Sequence, residues 1–290
     1  VASGMVDVAL VVGVEEFTDK VGAGVDAALA TTNDSDFEAI HGMTPASQAA
    51  LLMKRYIHEH NVPEHGFAGF AFTAHANGVA NPNAMFRKAI KPDTYAKAEM
   101  VSDPLNMFDM APNADGAAAL VLTRRDLLPS NFHHPLVKIA GSAASSDTLA
   151  LHDRKDMLFF DTAQISAGKA MKQVGLTLND ISFFEYHDTF SIYAALQLEA
   201  VGFAIKGKGW KLAADGEIGL KGTIPCATMG GMKARGFPGG AAGVYQAVDA
   251  VAQLRGQAGV NQIPNAKTAL IQSLGGPAST AVSHVLQKLD

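Results

Sequence analysis

The residues best suited to chemistry lie where a predicted strand gives way to a predicted helix. His187 and Asp188 follow the buried run "FFEY" and precede an apolar helical segment. In open α/β sheets, ligands sit beyond the carboxyl ends of the strands, and a histidine there can donate to a carbonyl oxygen or hold a water molecule. The alternative is structural: Asp188 would cap the helix while His187 packs in the core. The residues by themselves favour the two interpretations equally.

Glycine-rich turns are the second candidate feature. The segment 229–240, "MGGMKARGFPGG", precedes an amphipathic helix, and the segment 272–280, "QSLGGPAST", follows another predicted strand. Glycine lets a backbone approach a ligand closely, and a helix start offers free N–H groups to a polar or anionic group. The centre of the first segment carries Phe237, which has no proton to move. Each turn is a weak signal, but together with the turn at His187 they indicate one shared site.

The segment 72–88, "FTAHANGVANPNAMFRK", combines His75 with several turn signals. We predict that it is a turn-rich loop. Asn-Gly and Asn-Pro pairs are ordinary markers of turns, so a purely structural role is the alternative to a binding role.

Composition excludes several other classes of function. The 290 residues include 23 Lys and Arg against 28 Asp and Glu, a net charge of −5, with no long basic block, which argues against nucleic-acid binding. Cys226 is the only cysteine, so an internal disulfide is impossible, and the ten histidines show no metal-binding spacing. No signal peptide is visible, and no apolar run approaches the ~20 residues of a membrane span. We therefore expect a soluble cytoplasmic protein without a metal site, a nucleic-acid partner or a membrane segment.

Apolar runs and helical periodicities define the expected elements. Strands are predicted at 6–14, 67–76, 116–123, 136–144, 181–187, 223–231, 268–276 and 280–288. Helices are predicted at 44–60, 161–175 and 188–202, and along an apolar stripe from Val244 to Leu254. From residue 136 onward strands and helices alternate, which predicts a mostly parallel sheet with helices on its faces.

The chain reads as two copies of one unit. The run 6–14 corresponds in position to 268–276, and 114–126 corresponds to 276–290. The second copy has all its pieces, whereas the first has only its last two strands, which are separated by a long insertion. By this comparison we expect the first copy to lack opening strand–helix units of about 80 residues.

The repeat predicts two domains. Residues 1–130 are the remainder of an N-terminal half, with a loop domain inserted at about 18–110. Residues 131–290 form a complete C-terminal half.

Several segments together resemble the thiolases, most closely the archaeal and sterol-carrier-type thiolases. They occur in family order over nearly the whole chain and include "HANGVANPNAMFRKAI", "NMFDMAPNADGAAALVL", "FFEYHDTF" and "GGMKARGFPGGAAGVYQ". The family fold is α/β, with two similar βαβαβαββ halves in a five-layered α-β-α-β-α body and a loop domain inserted in the first half. The resemblance therefore implies a thiolase fold with a truncated first half.

Thiolases join or split acyl-CoA thioesters by means of a nucleophilic cysteine, a second acid/base and two oxyanion holes. The family places that cysteine just before the strand matched by 6–14, so the resemblance implies that the chain as given lacks it. Cys226 lies in the second half, and we interpret it as a buried small hydrophobe.

The resemblance implies a degenerate catalytic site. His187 would contribute to an oxyanion hole, with Asp188 in support. Thr189 stands where sterol-carrier-type thiolases often have an acid/base cysteine, and Phe237 stands where the family has its catalytic histidine. Other catalytic positions also differ: Ala227 replaces an asparagine, and Gln272 and Ser273 replace a His-Asn pair.

The resemblance also implies the ligand and the partners. Substrate or CoA contacts are expected from Ser142, His75, Gly230, Gly231, Gly275 and Gly276. We expect no permanently bound cofactor, with coenzyme A or acyl-CoA as substrate. We also expect a homodimer or tetramer, and a small zinc-containing OB-fold protein is a possible CoA-binding partner.

Three functions stay open. The favoured one is a thiolase-like acyl-CoA acyltransferase whose classical thiolase activity is altered or lost, because losing one acid/base costs about 10²–10⁴ in rate. The alternatives are a thiolase-like aldolase or lyase acting on β-hydroxyacyl-CoA, which would not need the acyl-enzyme cysteine, and a non-catalytic acyl-CoA-binding subunit.

Overall fold

A computed structural model describes residues 1–289 and shows a mixed α/β chain. Its strands are β1 Val8–Glu15, β2 Met100–Ser102, β3 Leu105–Asn106, β4 Gly116–Thr123, β5 Leu136–Ser146, β6 Phe183–Glu185, β7 Thr268–Gly275 and β8 Thr280–Leu289. Its α-helices are α1 Gly22–Leu29, α2 Pro45–His60, α3 Ala68–Gly78, α4 Pro92–Ala96, α5 Asp161–Val174, α6 Ser191–Val201, α7 Gly209–Ala214, α8 Gly231–Arg235 and α9 Ala242–Leu254. Residue 290, which closes the predicted C-terminal half, lies outside the described residues.

The first sheet pairs β1 with β4 in antiparallel register, from Val8 opposite Thr123 to Glu15 opposite Gly116. The intervening chain holds α1 to α4 and the β2–β3 pair. Gly13 allows β1 to approach the start of α9, because a Cβ there would lie 2.7 Å from the Ala241 Cα. The two strands are therefore fixed against the helix that follows the glycine segment.

The second sheet has the strand order β5-β8-β7-β6. Only β6 and β7 are parallel, whereas β8 is antiparallel to both of its neighbours. The prediction of a mostly parallel sheet is thus wrong. A four-residue connection joins β7 to β8, which suffices for a hairpin but not for a parallel crossover.

Helix α9 lies between the two sheets. It contacts β1 and β4 on one side and β7 and β8 on the other, while α5 packs on β5, β7 and β8 and also contacts α6. The order is sheet, helix, sheet, helix, as the alternation of apolar faces requires. The carboxyl ends of β6 and β7 meet at one edge, next to the start of α9 and the glycine segment before it.

The predicted strand at 67–76 is wrong: these residues form most of α3. Phe70, Ala74 and Gly78 lie on one buried stripe at helical spacing. A short continuous apolar run cannot be assigned to strand or helix by periodicity. Gly69 is also needed here for helix packing, because a Cβ on it would lie 2.2 Å from the Ala213 carbonyl oxygen of α7.

The predicted strand at 223–231 is also wrong. It makes one isolated bridge, Cys226 with Phe184, before the backbone turns away from the sheet. Ala227, Gly230 and Gly231 all have positive φ, a conformation that extended strands do not contain. The other six predicted strands and all four predicted helices are confirmed within a few residues.

Among residues 1–289, no helix combines the length and the apolar character that a membrane crossing requires.

Candidate functional site

The turn between β6 and α6 holds His187 in a buried position, with 5% of its surface exposed. Gln197, just past the middle of α6, binds both the N–H and the carbonyl oxygen of His187. The His187 N–H donates to Gln197 Oε1 over 3.0 Å, and Gln197 Nε2 donates to the His187 carbonyl oxygen over 2.7 Å. The side chain of Gln197 thus supplies the two backbone hydrogen bonds that a neighbouring strand would make if β6 continued.

The imidazole of His187 is neutral at neutral pH. Burial lowers its pKa to about 3, and its Nδ1 is buried without a hydrogen-bond partner. The ring stands edge-on to the Phe237 ring, with centroids 5.7 Å apart and planes at 81°. A neutral imidazole is a poor base at this pKa, but it still carries one N–H that can donate to an oxygen.

Asp188 caps a helix, but not the one that the sequence indicates. Its Oδ1 accepts the Met232 N–H over 2.7 Å, at the start of α8. Gly231 makes this possible, because a Cβ on that residue would lie 2.4 Å from Asp188 Oδ2. Helix α6 begins after Phe190 with no side-chain cap. The expected cap of α6 by Asp188 is therefore wrong, because its carboxylate binds the backbone of the glycine segment.

The chain 109–114 runs between the His187 turn and the glycine segment. It bonds first to the turn: the Ala111 N–H donates to the Thr189 carbonyl oxygen over 2.7 Å. It then bonds to the glycine segment, where the Phe237 N–H donates to the Pro112 carbonyl oxygen over 2.7 Å. The two halves of the predicted catalytic site are thus held together by a third segment.

Lys233 reinforces this junction and was not singled out from the sequence. Its Nζ donates to the Asp109 carbonyl oxygen over 2.6 Å, and the residue is 1% exposed. Burial lowers the pKa of this ammonium to about 8, against the opposing charges of Asp109 and Asp188. A lysine two residues after a glycine pair gives no sequence signal that it is buried.

His75 lies in α3 and not in the turn-rich loop that we predicted. It stacks on Phe86 at 5.7 Å and meets Phe108 edge-on at 5.9 Å. Burial, and then the charge of nearby Lys233, lower its pKa to about 4. Its ring packs against aromatic side chains and also interacts with the Lys88 backbone, and its role in CoA binding stays a prediction.

Helix α3 and the turn after it support the glycine segment and the residues just before it. Asn77 Nδ2 donates to the Ala227 carbonyl oxygen over 3.0 Å, and Asn81 Nδ2 donates to that of Met229 over 2.8 Å. Gly230, with φ of 108°, lies against Gly78: a Cβ on Gly230 would be 2.9 Å from the Gly78 Cα. Gly230 and Gly231 therefore serve close packing within the segment, and their predicted contact with CoA remains a prediction.

The other predicted ligand contacts are spread along the second sheet. Gly275 ends β7, and Gly276 has φ of 52° and lies against Thr32. Because β6 and β7 are parallel neighbours, this turn shares the sheet edge with His187. Ser142 does not: it is on β5, three strands away from β6, or about 14 Å at the usual strand spacing.

Cys226 is buried, as predicted, and is a free thiol. Its Sγ donates to the Ile224 carbonyl oxygen, and burial raises its pKa well above the ordinary value. A thiol of this kind is a poor nucleophile, because the thiolate is the reactive form.

Three polar side-chain atoms at the β6–α6 turn are buried without a partner: His187 Nδ1, Thr189 Oγ1 and Ser191 Oγ. Unpaired polar atoms inside a protein are costly, and their concentration in one turn makes this turn the candidate functional site. Among residues 1–289, no three His, Cys, Asp or Glu side chains are grouped so that they could hold a metal ion.

Comparisons with known proteins show the family to which this chain is similar. Residues 143–288 match the family described as "Thiolase C-terminal domain-like". The chain is also 38% identical over 288 residues to the acetyl-CoA acetyltransferase of Methanothermobacter thermautotrophicus, which covers 99% of this chain and 74% of that protein. The chain belongs to the thiolase family.

Solved structures show the same thiolase fold. The structure described as the Ltp2-ChsH2(DUF35) aldolase superposes with a TM-score of 0.84 at 24% identity, covering 99% of this thiolase-like chain and 74% of that chain. A monomeric SCP2-thiolase-like protein from Mycobacterium smegmatis superposes with a TM-score of 0.68 at 18% identity, covering 99% and 57%. The α/β fold and the resemblance to archaeal and sterol-carrier-type thiolases are thereby confirmed.

Within this thiolase fold, the arrangement offers donors rather than bases. His187 is neutral and Asp188 is bound to the backbone of α8. Phe237, which meets the His187 ring, can neither give nor take a proton. The site can therefore polarise a carbonyl group or hold an enolate oxygen.

Proposed function

We propose that the protein acts on acyl-CoA thioesters and makes or breaks a carbon–carbon bond, with His187 donating a hydrogen bond to the thioester or enolate oxygen. The observation that carries this proposal is the neutral, buried imidazole at the carboxyl end of β6. Membership of the thiolase family and the similarity to an acetyl-CoA acetyltransferase support the substrate class.

A buried neutral donor suits this task. The charge that develops on a thioester oxygen during enolisation is stabilised best by a fixed N–H in a site that excludes water, and one such donor is worth about 10²–10³ in rate. The backbone clamp by Gln197 keeps the imidazole fixed before the substrate arrives. The site therefore does not need to reorganise when the oxyanion forms.

Classical thiolysis is altered or lost in this proposal. Phe237 supplies no acid/base, and Thr189 carries a hydroxyl that is a weak acid at neutral pH. Cys226 is unsuited to carry an acyl group because its thiol is buried. An acyl transfer through this site would need its nucleophile from outside the groups described here.

A second candidate is an aldolase or lyase that cleaves a β-hydroxyacyl-CoA. The apolar contact between His187 and Phe237 favours it, because aldol cleavage needs an enolate-stabilising donor but no acyl-enzyme. The structural similarity to the Ltp2-ChsH2(DUF35) aldolase supports it at the level of the fold. In this case we also propose a partner of the DUF35 kind, a small zinc-containing OB-fold protein, beside a homodimeric or tetrameric thiolase-like core.

One set of assays tests both candidates. The full chain, alone and with a DUF35 partner, is incubated with acetoacetyl-CoA plus CoA, and separately with a β-hydroxyacyl-CoA. The proposal expects acyl-CoA turnover that falls at least 100-fold in His187→Ala. His60→Gln is the matched control, because His60 also has a buried ring nitrogen without a partner but lies on α2.

Each result assigns a function. Aldehyde or ketone release from the β-hydroxyacyl-CoA favours the aldolase, and condensation or cleavage of a ketoacyl-CoA favours the acyltransferase. Binding of CoA without turnover supports the non-catalytic subunit. Turnover that survives His187→Ala contradicts the proposal.

A further inference from the structure

A polar network lies buried behind the site, between the β6 strand and helix α9. It contains two carboxyl groups, Glu185 and Asp249, and one cation, Arg235. Arg235 Nη1 donates to Asp249 Oδ2, and the two side chains are 8% and 11% exposed. The guanidinium also lies over the Tyr245 ring, with Cζ 4.2 Å from the ring centroid. Arg235 and Asp249 thus already form a neutral pair, and Glu185 is left without a cation.

Glu185 is held by neutral donors instead. Its Oε1 accepts the Thr228 N–H over 3.0 Å and also the Thr228 hydroxyl, and the residue is 2% exposed. Gln246 Nε2 of α9 donates to the Glu185 carbonyl oxygen over 3.1 Å. These bonds join the end of β6, the residue just before the glycine segment, and α9.

The network reaches both halves of the site through the chain itself. Glu185 is two residues before His187, and Arg235 is two residues before Phe237. A change in the geometry of either side chain therefore moves the backbone that carries one of the two rings.

The groups that face Glu185 leave no second positive charge for it. Glu185 lines a narrow cavity that has room for about one water molecule, and Asp188, Arg235 and Asp249 line the same cavity. Arg235 Nε is buried there without a partner. Asp188 is bonded to the Met232 N–H, and the other titratable neighbours are the buried Tyr186 hydroxyl on the same turn and the buried Cys226 thiol just before the glycine segment. Lys233 is directed away, towards the Asp109 carbonyl oxygen.

We propose that Glu185 is a positioning residue that must carry a proton for His187 and Phe237 to keep the geometry described above. With the proton, Glu185 is a neutral neighbour of the Arg235–Asp249 pair. Without it, a second carboxylate competes with Asp249 for Arg235 and pulls on the backbone before Phe237. The claim that this geometry is the active one rests on the proposed function, whereas the claim that Glu185 maintains the geometry does not.

The electrostatics of the network are consistent with this role. Burial, and next the charge of Asp249, raise the pKa of Glu185 to about 8. Burial also raises the pKa of Asp249 to about 6, against the opposing charge of Arg235. Glu185 is therefore neutral at pH 7 and ionises under mildly alkaline conditions.

Hydrogen exchange of the backbone in 227–240, corrected for the intrinsic rate at each pH, tests the proposal on the full chain. Wild type should lose protection by about tenfold between pH 7 and pH 9, as expected for one ionisation near pH 8. Glu185→Gln should lose less than about twofold, because the amide imitates the protonated acid and still accepts from Thr228. Glu199→Gln is the matched control: Glu199 is also buried and accepts two hydrogen bonds, but near the far end of α6.

Two results would overturn the proposal: no alkaline loss of protection in wild type, or the same loss in Glu185→Gln. If Glu185→Gln does not fold, Asp249→Asn replaces it as the test. In that variant Glu185 pairs with Arg235 and ionises below pH 7, so the loss of protection between pH 7 and pH 9 should disappear. A loss that persists counts against the proposal. Acyl-CoA assays on the same samples separate this from the proposed function, since the exchange step does not require turnover.

Discussion

The rings of His187 and Phe237 meet edge to face at 5.7 Å, so an apolar ring borders the imidazole at the carboxyl end of β6. Phe17 lies on Phe237 in turn, with ring centroids 6.3 Å apart. An apolar border disfavours the imidazolium and keeps His187 as a neutral donor. This relationship is the basis of the predictions below.

Replacing Phe237 by histidine should not restore thiolysis. The new imidazole would stand beside a desolvated His187, and Thr189 would still lack acid/base strength. We expect acetoacetyl-CoA thiolysis to be undetectable in wild type and in Phe237→His. Release of acetyl-CoA by the unmodified chain would show that Phe237 does not occupy the catalytic position that the resemblance assigns to it.

Gln197→Ala should impair the site more than it impairs the fold. Removing the side chain leaves the buried His187 N–H and carbonyl group unpaired, at a cost of about 1–3 kcal/mol, and displaces the imidazole, at a cost of about 100-fold in kcat/KM. Gln253 offers a matched control. It is equally buried near the C-terminal end of α9, and its side chain accepts the Ile263 N–H. Gln253→Ala should show a similar loss in urea unfolding and retain activity; equal activity losses in both variants would contradict the assignment.

The contribution of two buried histidines to the free energy of unfolding should fall as the pH drops from about 6.5 to about 4. Burial holds the pKa of His187 at about 3 and that of His75 at about 4, below the value of about 6.5 for an exposed imidazole. In this range these two side chains bind more protons in the unfolded chain than in the folded chain, so their contribution to stability rises with pH. Each histidine contributes up to about 1.4 kcal/mol per pH unit.

Urea unfolding of His75→Gln at several pH values isolates one of these contributions. The variant should show a shallower acid slope than wild type, while His133→Gln, on an exposed residue, should leave the slope unchanged. An unchanged slope in His75→Gln would contradict the buried, neutral state of His75.

Two Gly→Ala substitutions should have opposite effects on stability. Gly231 has φ of 54°, and its Cβ would lie 2.4 Å from the Asp188 carboxylate, so Gly231→Ala should destabilise by about 1–3 kcal/mol. Gly168 is exposed in α5, with nothing within 4 Å of an added Cβ, and Gly168→Ala should stabilise by about 0.5–1 kcal/mol. Thermal unfolding checks both, and a neutral Gly231→Ala would mean that Asp188 does not need the space.

Much of the fold follows from local patterns, but its tertiary connections do not. The stripe of α9 and the run of β7 are readable because a single period repeats along each of them. The strand predicted at 67–76 failed because its apolar residues are nearly continuous, and their helical role depends on close packing against α7 and α8. The direction of β8 depends on the short turn before it rather than on the strand itself.

Residues of the candidate site were predicted from the sequence, but the hydrogen bonds that connect them were not. His187 and Phe237 were identified from the strand end and from the family resemblance, whereas the destination of the Asp188 carboxylate lies 44 residues away along the chain. One signal was overlooked: after its first residue, the helix "SIYAALQLEAV" is apolar except for Gln197 and Glu199 in its second half. A polar side chain inside a helix that is buried all round must have a specific partner, and for Gln197 that partner is the His187 backbone.

The most direct test of the account is the infrared carbonyl stretch of acyl-CoA, labelled with ¹³C at the thioester carbon, when it is bound to the protein. If His187 donates to the thioester oxygen, the stretch should move to lower frequency on binding to wild type and return to the free value in bound His187→Phe. Binding is measured separately by calorimetry, so that loss of the shift is not confused with loss of the ligand. An unshifted stretch in wild type, or the same shift in His187→Phe, would contradict the central claim.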